Sequence, residues 1–174
     1  MPELIEPTVR LHEAWIESRD EWGRGVHQPG AGLRPDDDVD SAAGFATWVA
    51  RLRREADTSI PAAEGLVHCT YRWIVDGDRL LGTIALRHTL NDFLLEAGGH
   101  IGYGIRPSER GRGLATFALG EIQAEARKLG LDRLMISCDV SNPASARVIE
   151  RHGGILEDIR ETPLGTTKRY WVAL

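Results

Sequence analysis

The stretch RPSERGRGLATFAL, Arg106 to Leu119, sets two glycines and three arginines directly ahead of a helix-forming run. A helix start offers unpaired N–H groups and the positive end of the helix dipole. Bare backbone and positive charge at that place suit an anion, provided that a strand leads in and a helix leads out. Both conditions are met. HIGYGIR, His100 to Arg106, reads as a strand ended by Pro107. Leu114, Ala118, Ile122, Ala126 and Leu129 recur at helical spacing, and Gly130 can close that helix. Gly111 and Gly113 remove side chains that would keep a ligand off the main chain. N–H groups from about Arg112 to Ala115 then point outward, and Arg110 and Arg112 add charge of the kind a pyrophosphate needs. No GKS or GKT follows, and the spacing is not GxGxxG, so the loop is neither a Walker loop nor a dinucleotide fingerprint.

Downstream, RLMISCDV is a nearly continuous apolar strand, hence a buried one. Asn142 can cap a short helix with Pro143 at its first position, and GILEDIR and KRYWVAL read as two closing strands. Upstream, VHCTYRWIV and DRLLGTIALRH flank Asp76-Gly77 as a hairpin. Before that, Leu11 to Trp22 places Leu11, Ala14, Trp15 and Ser18 on one helical face. Ser41 to Glu55 does the same with Phe45, Trp48, Val49 and Leu52. Between the helices, Gly23 to Asp40 is an aperiodic loop of the length that is usually mobile or functional. Its Asp36-Asp37-Asp38 run reads as a solvated lead-in to the second helix. The order of elements predicts one mixed α/β layer built on a sheet, as a single domain over residues 1–174.

A chain of 174 residues that is 42% hydrophobic and 27% charged can bury one core. Its net charge of −5 excludes a general nucleic-acid surface. No apolar run approaches the roughly 18 residues of a membrane span, and the first residues lack a signal-peptide core. A cytoplasmic protein is the expectation. Cys69 and Cys138 form no CxxC pair and read as reduced packing residues, and the scattered histidines predict no metal site.

The segment RGRGLA fits the R/Q-x-x-G-x-G/A signature of the GNAT N-acetyltransferase superfamily, with Arg110, Gly113 and Ala115 in its fixed places. LDRLMISCDVSNPASARVIERHGG resembles the GNAT stretch in which an asparagine after a strand opens a short helix leading to a glycine turn. LRHTLNDFLLEAGGHIGY together with KRYW is similar to a bacterial subgroup of predicted acetyltransferases. The resemblance covers about Leu80 to Tyr170. It implies a mostly antiparallel sheet of six or seven strands, flanked by helices and splayed between the strand at His100 and the strand at Arg133. Acetyl-CoA would lie in the gap as co-substrate. Arg110, Gly111, Arg112, Gly113, Leu114 and Ala115 would hold its pyrophosphate. Main-chain groups along Gly102 to Ile105, Gly104 among them, would meet the pantetheine arm, with Asn142 and Ser145 nearby. Asn142 reads equally well as a plain helix cap.

The implied chemistry is direct attack of a neutral amine on the thioester in a ternary complex. It needs a proton acceptor, placed N–H donors for the oxyanion, and protonation of the departing thiolate. Many relatives carry a glutamate where this chain has His100. On strand alternation His100, Gly102 and Gly104 share one face, and the glycines leave that face open to a ligand. His100 is the first candidate base and Glu96 the second. Where relatives place a tyrosine as acid this chain has Ile149, so either Ser145, Tyr103 or water would substitute or the thiolate would leave unassisted. Trp15, Trp22, Trp48 and Trp171 either line an acceptor pocket or belong to the core. The expected partner is a small-molecule or peptide amine, without nucleic acid or membrane, and a homodimer stays open. The competing class is a non-catalytic acyl-CoA-binding or sensor module, which the missing tyrosine favours.

Overall fold

Glycines and short apolar runs set the strand ends, and the computed structural model describes all 174 residues. β1 (Glu3–Ile5), β2 (Cys69–Asp76), β3 (Arg79–Arg87) and β4 (Ile101–Ile105) form one antiparallel sheet in that order. Asp76 pairs with Arg79, so the hairpin turn is Gly77-Asp78, one residue later than the Asp-Gly pair suggests. Gly77 takes a φ of 60° at the first central position, where a tight hairpin turn favours glycine. β5 (Arg133–Asp139), β7 (Gly165–Ala173) and β6 (Ile155–Thr162) make a second antiparallel sheet, in the order β5-β7-β6. The seven strands thus split into two sheets, and the division falls between β4 and β5, as the resemblance implies.

The sheets stay joined at one point. The His100 N–H donates to the Met135 carbonyl at 2.8 Å, and the Met135 N–H donates to His100 Nδ1 at 2.9 Å. Beyond that staple the strands carry no shared ladder.

Four helices cover the sheets: α1 (His12–Trp22), α2 (Ala42–Glu55), α3 (Leu114–Lys128) and α4 (Pro143–Arg151). Ser41 caps α2 by accepting from the Gly44 N–H, and Asn142 caps α4 by accepting from the Ser145 N–H, each where its side chain predicts. Leu114, Ala118, Ile122 and Ala126 of α3 are buried between the sheets, with Leu134, Ile136 and Val172. Leu129 is instead exposed, because the helix ends at Lys128 and Gly130 turns the chain with a φ of 84°. A second core forms under α1 and α2, where Trp15, Phe45, Trp48 and Trp73 meet edge-on and tilted. Trp15 and Trp48 are therefore core residues. No helix is long and apolar enough to cross a membrane.

The sequence did not reveal β1, whose three residues are too few to show a period. It also missed a single turn of π-helix over Leu94–Gly98. The Gly23–Asp40 loop folds over the first sheet. Thr83 Oγ1 donates to the Pro29 carbonyl at 3.1 Å, and Trp48 Nε1 donates to the Gly32 carbonyl at 3.3 Å. Asp37 is an internal counter-charge, whereas Asp36 and Asp38 stay exposed as a solvated lead-in to α2. Asp37 takes both terminal nitrogens of Arg51, and Asp38 accepts from the Ser41 N–H and hydroxyl.

Candidate active site

The alternation of backbone bonds along β4 decides what the gap offers. Arg87 N–H donates to the His100 carbonyl and Arg106 N–H to the Leu81 carbonyl. In an antiparallel ladder that phase turns the main-chain groups of Gly102 and Gly104 toward β3. The N–H and C=O groups of Ile101, Tyr103 and Ile105 consequently face the splayed side. Extended backbone with free donors and acceptors is what an amide-bearing arm needs for pairing.

Next to it, Arg106-Pro107 ends the strand, and the chain reaches α3 through Gly111 and Gly113, both at a φ of 77°. No side chain caps α3, and its first backbone bond runs from Phe117 N–H to the Gly113 carbonyl. The N–H groups from Gly111 to Thr116 are left without partners. A Cβ at Gly111 or Gly113 would meet nothing within 4 Å, so the space above both is open. A cavity of about 760 Å³ lies there, bordered by Tyr103, Gly104, Ile105, Arg110, Gly111, Gly113, Leu114 and Ala115 from β4 and the loop, and by Asn142 and Ser145 from α4. Nine of the ten residues read from the sequence as cofactor contacts thus converge on one cavity. Those nine are Gly104, Ile105, Arg110, Gly111, Gly113, Leu114, Ala115, Asn142 and Ser145.

Arg112 is the exception. Its guanidinium pairs with Glu109, which borders the cavity, is 2% exposed and also takes Arg79. Arg110 stays at the cavity, stacked 4.9 Å over Trp22, with its Nε donating to the Ile105 carbonyl at 3.1 Å. Two further cations complete the rim. Arg147 and Arg151, four residues apart on α4, border the cavity without an ion pair. Their spacing on one helical face was the only signal available in the sequence. Trp22 at the end of α1 and His27 and Pro29 of the covering loop also line the cavity and were not foreseen as a group.

Inside the cavity the Tyr103 hydroxyl and Ser145 Oγ are hydrogen-bonded to each other. Burial pushes the Tyr103 phenol up from its ordinary value, so it stays protonated near neutral pH. Ile149 is fully buried in the core and takes no part in the lining. Asn142 caps α4 through Oδ1 and also borders the cavity, so its two readings describe one residue with two edges.

The expectation for His100 needs correction. The residue is 5% exposed and does not line the cavity, and its Nδ1 lone pair already accepts from the Met135 N–H. The remaining nitrogen of the neutral ring therefore carries the proton. Burial first, then the charges of Arg87 and Arg133, pull its pKa from 6.5 down to about 4. A ring so placed is a structural acceptor joining the sheets, not a base. The open face expected at Gly102 and Gly104 is also covered: a Cβ on Gly30 would sit 2.5 Å from the Gly102 carbonyl oxygen, so these glycines admit the loop backbone. Glu96 is exposed on the π-turn and borders a separate cavity of about 490 Å³ with Glu157, Asp158, Arg160 and Trp171. The π-turn itself spans the gap, held by Arg87 on Gly98, Ser137 on Ala97 and Arg169 on Leu95.

A family model described as an acetyltransferase (GNAT) domain matches residues 9–155. No curated protein matches the chain in sequence. Among solved structures, RimL, a ribosomal L7/L12 alpha-N-protein acetyltransferase in complex with coenzyme A, is similar with a TM-score of 0.72. It is 18% identical, over 99% of this chain and 94% of its own. RimJ of Mycobacterium smegmatis, in complex with a CoA disulfide, gives 0.73 at 16% identity, covering 99% of this chain and 81% of its own. The microcin C7 self-immunity acetyltransferase MccE, in complex with acetyl-CoA and AMP, gives 0.70 at 15% identity over 99% and 92%. The family match covers most of the chain, the fold agrees along nearly all of it, and the glycine loop stands open at the start of α3: this chain belongs to the GNAT family of acetyl-CoA-dependent N-acetyltransferases.

Proposed function

We propose that the cavity at the Gly111–Thr116 turn holds acetyl-CoA, and that the acetyl group passes from it directly to an amine entering from the opposite side of the gap. The observation that carries this reading is the run of unpaired N–H groups from Gly111 to Thr116, ringed by Arg110, Arg147 and Arg151. The loop N–H groups and these three arginines neutralise the phosphates. The gap-facing main chain of Tyr103 and Ile105 pairs with the pantetheine arm.

In the transfer, the amine nitrogen bonds to the acetyl carbon and the carbon–sulfur bond breaks, its electron pair leaving on sulfur. N–H groups of β4 that face the gap stabilise the oxyanion. The Tyr103–Ser145 pair supplies the proton to the thiolate, in place of the tyrosine that Ile149 replaces. Glu96, a carboxylate on the turn that spans the gap, takes the proton from the amine through water, since it borders a cavity separate from that of the glycine loop. The acceptor is a small-molecule or peptide amine.

A panel of amines and short peptides incubated with acetyl-labelled acetyl-CoA tests the reading. Amine-dependent CoA release is expected, with no label held by the protein when amine is left out. Glu96→Gln should lower kcat by about tenfold or more, a loss that shrinks as pH rises and the amine deprotonates unaided. Label retained on the protein without amine would overturn direct transfer. Acetyl-CoA binding without turnover of any amine would support a non-catalytic acyl-CoA-binding module instead.

A further inference from the structure

A second cavity, of about 520 Å³, lies between α2, the start of β2, the end of β3 and the 60–67 segment. Four arginines border it, Arg34, Arg51, Arg54 and Arg87, together with Glu55, and residues 60–67 give it an apolar wall. Two of the four are neutralised within the protein. Asp37 takes Arg51 at 2.6 and 3.0 Å, and Glu55 takes Arg34 at 3.0 Å. Arg54 has no ion pair. Arg87 is half-buried and meets only the carbonyls of Gly98 and Gly99, at 3.1 Å each. Carbonyls orient a guanidinium without cancelling its charge, and a desolvated charge without a counter-ion is costly. After burial, the charge of Arg87 is the next cause of the depressed His100 pKa.

This cavity and the one at the glycine loop approach the same strand. A Cβ on Gly102 would lie 3.6 Å from Arg87 Nη2, and Tyr103 and Gly104, the next residues of β4, border the loop cavity. A ligand at Arg87 therefore sits beside the part of β4 where the thioester is proposed to lie.

We propose that this cavity binds the acceptor through an anionic group, a carboxylate or a phosphate, with Arg87 and Arg54 as the residues that select it. The acceptor class is then an amine that also carries an acid, with an apolar portion against the 60–67 wall. This inference rests on the acetyl-transfer reading for its amine but not for its anion.

Two measurements test it separately. Calorimetric titration of the CoA-saturated protein with glutarate and, in a second series, inorganic phosphate reads the anion without turnover. Saturable binding is expected, weakened about tenfold or more in Arg87→Gln and about threefold in Arg54→Gln, as loss of a charge-assisted bond implies. The tighter ion tells carboxylate from phosphate. Because Arg87 also holds the π-turn, Arg87→Lys serves as a second variant, and its retained charge should recover most of the binding. No saturable binding of either ion to the wild type, or binding unchanged in both Arg87→Gln and Arg54→Gln, overturns the proposal. Turnover is then compared for matched amines: β-alanine against β-alaninamide, and phosphoethanolamine against ethanolamine. An anionic member favoured about tenfold in kcat/KM, with the preference lost in Arg87→Gln, is the expected result. Equal use of both members overturns the anion site and leaves acetyl transfer standing. Ion binding with no turnover of any amine overturns acetyl transfer and leaves the anion site standing.

Discussion

The cavity at the glycine loop has consecutive main chain from β4 to the start of α3 along one side, with α1, the covering loop and α4 around it, whereas the cavity at Arg87 is walled by side chains from α2, β2, β3 and the loops between them. In the first, the binding groups are N–H donors fixed by a strand, two left-handed glycines and a helix start. In the second, they are guanidinium groups whose net charge depends on which carboxylates fold against them. The contrast explains why the phosphate-binding turn of a cofactor site can be read from about ten adjacent residues and an acceptor site cannot. It also predicts how each responds to change: the backbone site to substitutions that fill space, and the side-chain site to substitutions that move charge.

The sharpest way to break the contrast lies where side chains enter the backbone site. Tyr103→Phe removes the phenol beside Ser145, and kcat should fall by about a hundredfold while the acetyl-CoA dissociation constant stays within about threefold. An unchanged kcat would mean that the thiolate leaves without a proton from this pair, and the site would then work by main chain alone.

His100 tests the joint between the two sheets. Its folded pKa lies below its ordinary value, so its neutral form contributes stability above pH 6.5, and that contribution is lost as pH falls toward 4. The loss amounts to about 3 kcal/mol at most. Urea midpoints measured across that window should fall more steeply for the wild type than for His100→Asn, whose amide oxygen can still accept from Met135. Glu21, held down to about 2 first by Arg106 and Ser108, loses its contribution in a lower window, from pH 4.5 downward, so the two are separable. Equal slopes for wild type and variant would remove His100 from this role.

A smaller effect separates arginines that look alike in sequence. The double change Arg147→Gln, Arg151→Gln should weaken CoA about tenfold, whereas Arg112→Gln should change it less than about threefold, because Glu109 already holds that charge. The reverse order would mean that Arg112 swings to the ligand.

These residues also mark how far the sequence could be read. The glycine loop, the α3 stripe, the buried β5 and the caps at Ser41 and Asn142 were legible because each depends on neighbours within a few residues. The split of the sheet was legible only through the family resemblance. The role of His100 was not legible, since it depends on Met135, 35 residues away, donating to the ring nitrogen that a base would need. Arg112 misled for a similar reason, as its partner Glu109 looks no different from any surface acid until Arg79 closes on it. Arg87 appears in sequence as the next-to-last residue of a strand, and only α2, the 60–67 segment and the chain from Asn91 to Leu94 give it a cavity to face.

The central claim is that the open N–H turn at the start of α3 binds acetyl-CoA. Thermal unfolding with and without millimolar acetyl-CoA, for wild type and Gly113→Val, tests it most directly. A ligand bound only to the folded state raises Tm. A Cβ at 113 meets no protein atom within 4 Å, so a valine side chain there extends into ligand space, and the strain it adds at a φ of 77° is read in the unliganded baseline. The account predicts a clear upward shift for the wild type and none for the variant, each against its own baseline. No shift for the wild type, or an equal shift for both, would contradict it.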